Sequence, residues 1–352
     1  MKNQIKATRE SNIELLRIIA MFLVLVVHAD YAALGAPTQS DIIQNPLSSI
    51  GRIGFEALSI GCVNIFILIS GWFGIKPNIK SFANFIFQCM FFYIGIYLIC
   101  VFSGTLTFNI KSFIGSIAMI KYSWFVYCYI GLYIFAPIIN SYINTSTQKQ
   151  FLNTIIFFYI LQTIYGFIFS SSASYFKDGY SAISFIGLYM LARYVRLYPN
   201  KYTTLSVKTD CLVIMVSIIL LATIETALIY FKIPLPNYNY INPLVIISSL
   251  YALLAFSKFK FQNKLINWTA VSCFAVFLTH ANKHIYYDSF RPLMKHIYDN
   301  TNGLTYLLIT FCVLFLIFVA SVLIDKIRIF IWNRVWKAIE NSCIYKNMLK
   351  TN

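Results

Sequence analysis

The chain has 352 residues, of which 59% are hydrophobic and only 11% charged, with a mean hydropathy of +0.70. A soluble domain carries about 45–50% apolar and about 25% charged residues, so the composition excludes a soluble globular protein and implies an integral membrane protein. The net charge of +16 would suggest a nucleic-acid partner in a soluble chain. Here the basic residues sit in short connectors between apolar runs, where topology accounts for them and no nucleic acid is expected.

The N-terminus has basic residues, an apolar stretch and then the small residues of "AALGA", as a cleavable leader would. Glu10 and Glu14 inside the basic part, and the many spans that follow, favour a retained first span. A span needs about 20 mostly apolar residues. Ten segments qualify: 14–34, 55–73, 82–104, 122–142, 151–170, 180–198, 209–232, 240–258, 266–287 and 303–325. The expected fold is therefore an all-α integral membrane protein of about ten transmembrane helices over residues 9–325. Residues 326–352 mix Trp, Ile and Lys/Arg as an interfacial cytoplasmic tail would. With the N-terminus in the cytoplasm, alternate connectors place 19 Lys and Arg inside and 8 outside, Arg17 being the remaining one of the 28. That asymmetry is expected if both termini are cytoplasmic.

The first span, "ELLRIIAMFLVLVVH" over residues 14–28, carries three ionisable residues. Arg17 and His28 are eleven residues apart, which at about 100° per residue is roughly 20° from three full turns, so they share one face. At about 1.5 Å per residue their axial separation is about 16 Å. Glu14 precedes Arg17 by three residues, within pairing reach. Arg17 near the inner boundary has snorkelling as an alternative explanation. His28 lies past the midplane, and ionisable groups at such depth usually face a cavity or pathway.

Further along, "VNIFILISGWFG" contains Asn64, Ser70 and Gly71, the glycine permitting close helix approach. Trp124 opens an aromatic cluster where an interfacial belt is expected. Arg193 and Arg196 close the sixth segment, and Glu225 lies deep in the seventh without an obvious partner, as a buried acid or a site residue. His280 and His284 are spaced i, i+4, a two-ligand pattern too sparse for a metal site, so no metal is expected. The cysteines are scattered singly and read as small buried hydrophobes.

Four stretches taken together resemble the acyltransferase 3 family. "IELLRIIAMFLVLVVH" resembles its first-helix signature of Arg, ten residues and His; "VNIFILISGWF" is similar to its Ser-Gly-aromatic segment. "WFVYCYIGLYIFAPII" resembles its Trp-Phe…Leu-Tyr…Pro segment, and "FAVFLTH" its late helix ending in His. The matches fall in the family's order. Glu14 stands where Asp is common, and Asn64 where Asp or Pro is common, which argues against an acid–base role for Asn64. The resemblance implies a membrane enzyme of about ten spans that acylates carbohydrates. It implies that His28 is the catalytic histidine and that Arg17 helps hold an acyl-CoA donor; Glu14, pairing with Arg17, is placed with His28 in the catalytic set, and Arg193 and Arg196 are expected beside Arg17 from the donor's anionic charge. Ser70, Trp124, Glu225, His280 and Asn64 remain as pocket candidates.

The expected reaction moves an acetyl or short acyl group from acyl-CoA, with no permanently bound cofactor. The acceptor would be a surface polysaccharide or its lipid-linked precursor at a bacterial cytoplasmic membrane. No hydrolase-like domain is fused, which suggests a stand-alone sugar acetyltransferase. A transporter or flippase for lipid-linked oligosaccharide is the alternative; it predicts internal repeats, and none is evident. A polysaccharide polymerase would carry a large outer loop, and the outer connectors are short.

Overall fold

The computed structural model describes residues 9–118, 123–169 and 175–342. Lys2, Lys6, Lys121, Cys343 and the tail beyond Ser342 lie outside the described residues. The described residues form helices and connecting turns, with no strand among them.

In chain order the principal helices are α1 (Ser11–Ala29), α2 (Pro46–Ser59), α3 (Cys62–Phe73), α4 (Ile79–Phe102), α5 (Trp124–Thr145) and α6 (Gln148–Leu161). They continue with α7 (Ala182–Leu197), α8 (Val207–Tyr230), α9 (Pro243–Ser257), α10 (Lys264–Ala270), α11 (Cys273–His280), α12 (Arg291–Asn300) and α13 (Gly303–Asn341). Starts are set by side-chain caps: Asn78 for α4, Ser123 for α5, the Thr147/Gln150 capping box for α6, Ser181 for α7 and Ser206 for α8.

Seven helical stretches are long and apolar enough to cross a membrane: Ser11–Leu34, Pro46–Phe73, Ile79–Phe102, Trp124–Thr145, Gln148–Ile168, Val207–Tyr230 and Gly303–Asn341. The other three segments expected as spans fold as shorter pieces. These are α7 with 16 residues, α9 with 15, and the pair α10 and α11 with 7 and 8. A 16-residue helix is about 24 Å long, short of a hydrocarbon core of about 30 Å. The last helix runs unbroken through residue 325, so the tail up to Asn341 continues it.

Of the short helices α7, α9 and α11 lie largely inside, whereas α10 buries only Ala270. α1 packs against α2, α3, α9, α10, α11 and α13, and α3 packs against α7 and α9. α8 buries the least of its apolar window, followed equally by Gln148–Ile168 and α13, as expected for peripheral helices facing lipid. At the α3–α7 crossing the backbones touch, because a Cβ on Gly71 would sit 2.4 Å from the Tyr189 carbonyl oxygen. The same crossing is pinned by polar bonds: Tyr189 Oη donates to Asn140 Oδ1 at 2.7 Å and accepts from Ile75 N–H at 2.9 Å.

Breaks in the helices fall beside cavities. α2 gives way to α3 at Ile60–Gly61, α10 to α11 at Val271–Ser272, and α11 ends at His280. Cys62, Val271 and Ala281, adjoining those breaks, line the interior cavities. Irregular backbone at membrane depth is tolerated where protein or water in a cavity can satisfy it.

Candidate active site

Three cavities follow one another along α1. The first, about 180 Å³, lies at the N-terminal end of α1 and is lined by Arg17, Ser70, Gln88 and a group of aromatics. Phe66, Phe125 and Phe274 separate it from, and also line, a narrow middle cavity of about 30 Å³, room for one or two waters. His28, Trp124 and Phe277 are shared between this waist and a third cavity of about 400 Å³ at the C-terminal end of α1. The helical arithmetic thus places Arg17 and His28 in different chambers of one series, joined by an aromatic waist.

The histidine pair is defined by hydrogen bonding. His280 is fully buried and its Nδ1 lies 2.6 Å from the Val276 carbonyl oxygen, one turn earlier on α11. A carbonyl oxygen can only accept, so Nδ1 of His280 carries a proton. In the neutral ring Nε2 is then the acceptor, and it lies 2.8 Å from His28 Nδ1. His28 therefore donates from Nδ1, which leaves Nε2 as the basic nitrogen of a residue bordering both waist and third cavity. The Phe277 and Tyr286 rings flank His28 at centroid distances of 6.3 and 5.9 Å. A fixed tautomer with a lone pair at the meeting point of two cavities suits a general base or nucleophile.

At the other end, Glu14 is buried and pairs with both Arg17, at 3.5 Å, and Arg9, at 3.4 Å. Arg196 stacks over Trp72 at 4.5 Å and pairs with Glu10 at 3.3 Å, while Arg193 donates to the Trp72 carbonyl at 3.5 Å. The two arginines thus sit at the same end of the bundle as Arg17 but outside the Arg17 cavity. Ser70 lines that cavity and donates to the Phe66 carbonyl at 3.1 Å.

Two pocket candidates lie off the cavities. Asn64 is fully buried and donates to the Tyr240 carbonyl at 2.8 Å, so it ties α3 to the chain before α9. Glu225 lies on α8 and is not among the residues lining the three cavities. The His280/His284 pairing also dissolves. α11 ends at His280, Asn282 caps a new turn, and the His284 ring packs against Tyr97 at 6.3 Å instead.

Other residues emerge only from the fold. Gln88 lines the Arg17 cavity and donates Nε2 to Asp325 at 2.9 Å. Asp325 is held by Arg328 through two 2.9 Å bonds, and Arg328 donates to Asn84 at 2.7 Å. This network holds the Gln88 amide at the cavity wall. Lys283, Tyr286, Tyr287 and Arg291 line the third cavity. In sequence Lys283 and Arg291 follow His280 by three and eleven residues.

The arginine chamber, the aromatic waist and the histidine between two cavities lie in the helical bundle of a multi-pass membrane protein. A family model described as "Acyltransferase domain" matches residues 10–326, and the chain belongs to that acyltransferase 3 family. Comparison with curated proteins and with solved structures returned no match.

Proposed function

We propose that the chain is a membrane O-acyltransferase that moves an acetyl or other short acyl group from acyl-CoA to a hydroxyl of a surface polysaccharide or its lipid-linked precursor. The observation that carries this is the series of cavities meeting at His28, which lines both waist and third cavity while its Nδ1 is bonded to His280. In this reading ten segments cross a bacterial cytoplasmic membrane with both termini inside, the short α7, α9 and α11 being largely shielded from lipid by their neighbours. A periplasm-only reporter that becomes active when fused after Asn352 would refute that orientation.

The donor enters from the arginine end. Its phosphates meet Arg17, with Arg193 and Arg196 adding positive charge at the same end. Glu14 holds Arg17 in place. The pantetheine arm lies along the aromatic cavity, where the Gln88 carbonyl accepts from an amide N–H, and the thioester reaches the waist. The acceptor hydroxyl arrives in the third cavity. His28 Nε2 takes the hydroxyl proton as the oxygen attacks the thioester carbonyl; the tetrahedral intermediate collapses, the C–S bond breaks, and the thiolate takes the proton from His28. His280 keeps the ring in the required tautomer throughout.

The test is mass analysis of surface glycan from wild-type, deletion and His28→Ala cells. The expected result is loss of the acyl mass increment in both, at equal membrane abundance of the variant. Unchanged acylation in His28→Ala cells would remove His28 from the reaction. Shortened or absent glycan with intact acylation would favour the transporter instead.

A further inference from the structure

We infer that the Tyr286 hydroxyl is the donor that meets the thioester oxygen as the tetrahedral intermediate forms, an oxyanion site built against the His28 ring. This rests on the acyltransfer reading and adds a second catalytic residue to it. Attack at the thioester carbonyl puts negative charge on its oxygen, and a donor already aimed at that charge lowers the barrier. The histidine pair cannot supply it. His28 Nδ1 is bonded to His280 at 2.8 Å, and Nε2 takes the acceptor proton.

Among the described residues, the rings of Phe277, His280 and Tyr286 pack about His28, and of these only Tyr286 has a hydroxyl. Its ring lies 5.9 Å from that of His28 and lines the third cavity with it. The hydroxyl oxygen is shut off from bulk solvent and has no hydrogen-bond partner among the described residues. No other described residue lining the three cavities has a buried side-chain polar atom without a partner. A buried hydroxyl lacking an acceptor destabilises the folded chain, which is accounted for here by an acceptor that arrives with the substrate. Trp124, which lines the same cavity, packs on Tyr180 and Tyr240 instead.

The backbone fixes the tyrosine in place. Asn282 caps the turn at Lys283, and its carbonyl accepts from the Tyr286 N–H at 2.7 Å. A π-type turn then runs over Tyr286–Phe290, a geometry frequent at functional sites. Phe290 stacks on Tyr286 at 5.8 Å and meets His280 at 5.5 Å, so one buried ring sets the tyrosine against the histidine pair. A donor held in this way needs no reorganisation as charge develops.

As the acceptor oxygen bonds to the carbonyl carbon, its proton moves to His28 Nε2 and the C=O π pair becomes a lone pair on oxygen. The Tyr286 O–H donates to that oxygen and keeps its proton. Collapse restores the C=O, breaks the C–S bond and sends the His28 proton to the thiolate, leaving Tyr286 unchanged.

The experiment compares wild-type, Tyr286→Phe and His28→Ala proteins in proteoliposomes, with acetyl-CoA as donor and unacylated glycan and glycolipid from deletion cells as acceptor. Thiol release is followed. Binding of a trifluoromethyl ketone analogue of acetyl-CoA, whose carbonyl takes up water to become tetrahedral, is measured beside it. Tyr286→Phe should lower kcat by about 100-fold or more and weaken ketone binding by about tenfold or more, with KM for acetyl-CoA unmoved. Its melting temperature should be unchanged or raised, because the deleted hydroxyl had no bond to lose.

Full kcat in Tyr286→Phe overturns the inference while leaving acyl transfer standing. A change confined to KM for the acceptor does the same, since Tyr286 would then bind the sugar. A lowered melting temperature or a variant missing from the membrane also overturns it, because the hydroxyl would then hold the fold. Acyl content unchanged in the deletion cells overturns the acyl-transfer reading itself, and the inference with it.

Discussion

Replacing His280 by alanine removes the acceptor for His28 Nδ1 while leaving His28 in place. The 2.8 Å contact joins two neutral rings before reaction, a bond worth about 1 kcal/mol net. As His28 takes the acceptor proton the ring becomes cationic, and hydrogen bonds to charged groups are worth about 1.5–3 kcal/mol. The difference, roughly 0.5–2 kcal/mol, is felt only in the transition state, which corresponds to about a 2–30-fold loss in kcat. Loss of the base itself, in His28→Ala, should cost about 100–10,000-fold.

The assay is thiol release from acyl-CoA by protein in proteoliposomes with acceptor present, normalised to folded protein. KM for acyl-CoA should not move, because Arg17 is about 16 Å away along the helix. His280→Gln, which can offer an amide oxygen near the position of Nε2, should recover most of the rate. A His280→Ala enzyme with full kcat would show that the bond does not support the reaction. A loss as large as that of His28→Ala would make His280 itself the base.

Gly71→Ala should weaken the α3–α7 crossing by about 1–3 kcal/mol, because its Cβ would press on the Tyr189 backbone; a lowered melting temperature in detergent checks this. Arg328→Met should destabilise by about 3–5 kcal/mol by stranding the buried Asp325 carboxylate. The double change Asp325→Leu/Arg328→Met should recover most of that stability yet keep a raised KM for acyl-CoA, since Gln88 loses its anchor. Val24→Phe, which fills part of the waist, should slow transfer of longer acyl groups more than acetyl in a competition between donors. The Thr38 backbone N–H, then its hydroxyl, holds the Asp41 carboxyl below its ordinary range. Its cap on helix Gln39–Gln44 is therefore fully present above about pH 4 and lost as the pH falls through the lowered value. Protease nicking near that helix should rise on acidification, and Thr38→Ala should reproduce it at neutral pH.

The sequence made one part of the site readable because lipid-facing helices exclude charge. Arg17 and His28 on one face of an apolar helix demanded a cavity, and the fold supplies one at each. His280 was visible but grouped with the wrong neighbour: the i, i+4 pattern assumed a continuous helix, whereas α11 stops at His280 and Asn282 starts a new turn. Asn64 and Glu225 stood out as lone polar residues, yet polarity in a span does not say which way it faces; Asn64 satisfies a backbone carbonyl. Asn84 and Gln88 on the one hand and Asp325 and Arg328 on the other belong to two distant stretches of sequence, and only α4 packing on α13 joins them. Length was the weakest guide. Hydropathy marked α7, α9 and α10–α11 as apolar, but α7, α9 and α11 are largely interior and do not need full spanning length where other helices cover them.

The aromatic waist between the chambers also has an electrical consequence. If both larger chambers hold water, the membrane voltage falls mainly across Phe66, Phe125 and Phe274 rather than across the whole bilayer. Moving one elementary charge through that drop involves about 2.3 kcal/mol per 100 mV. A thioester carbonyl and its short acyl chain are neutral, so they pass the barrier without electrical work while the phosphates stay behind. A membrane enzyme arranged in this way can hand a group from one compartment to the other without becoming a leak for ions, and its turnover should change little when the cell is depolarised.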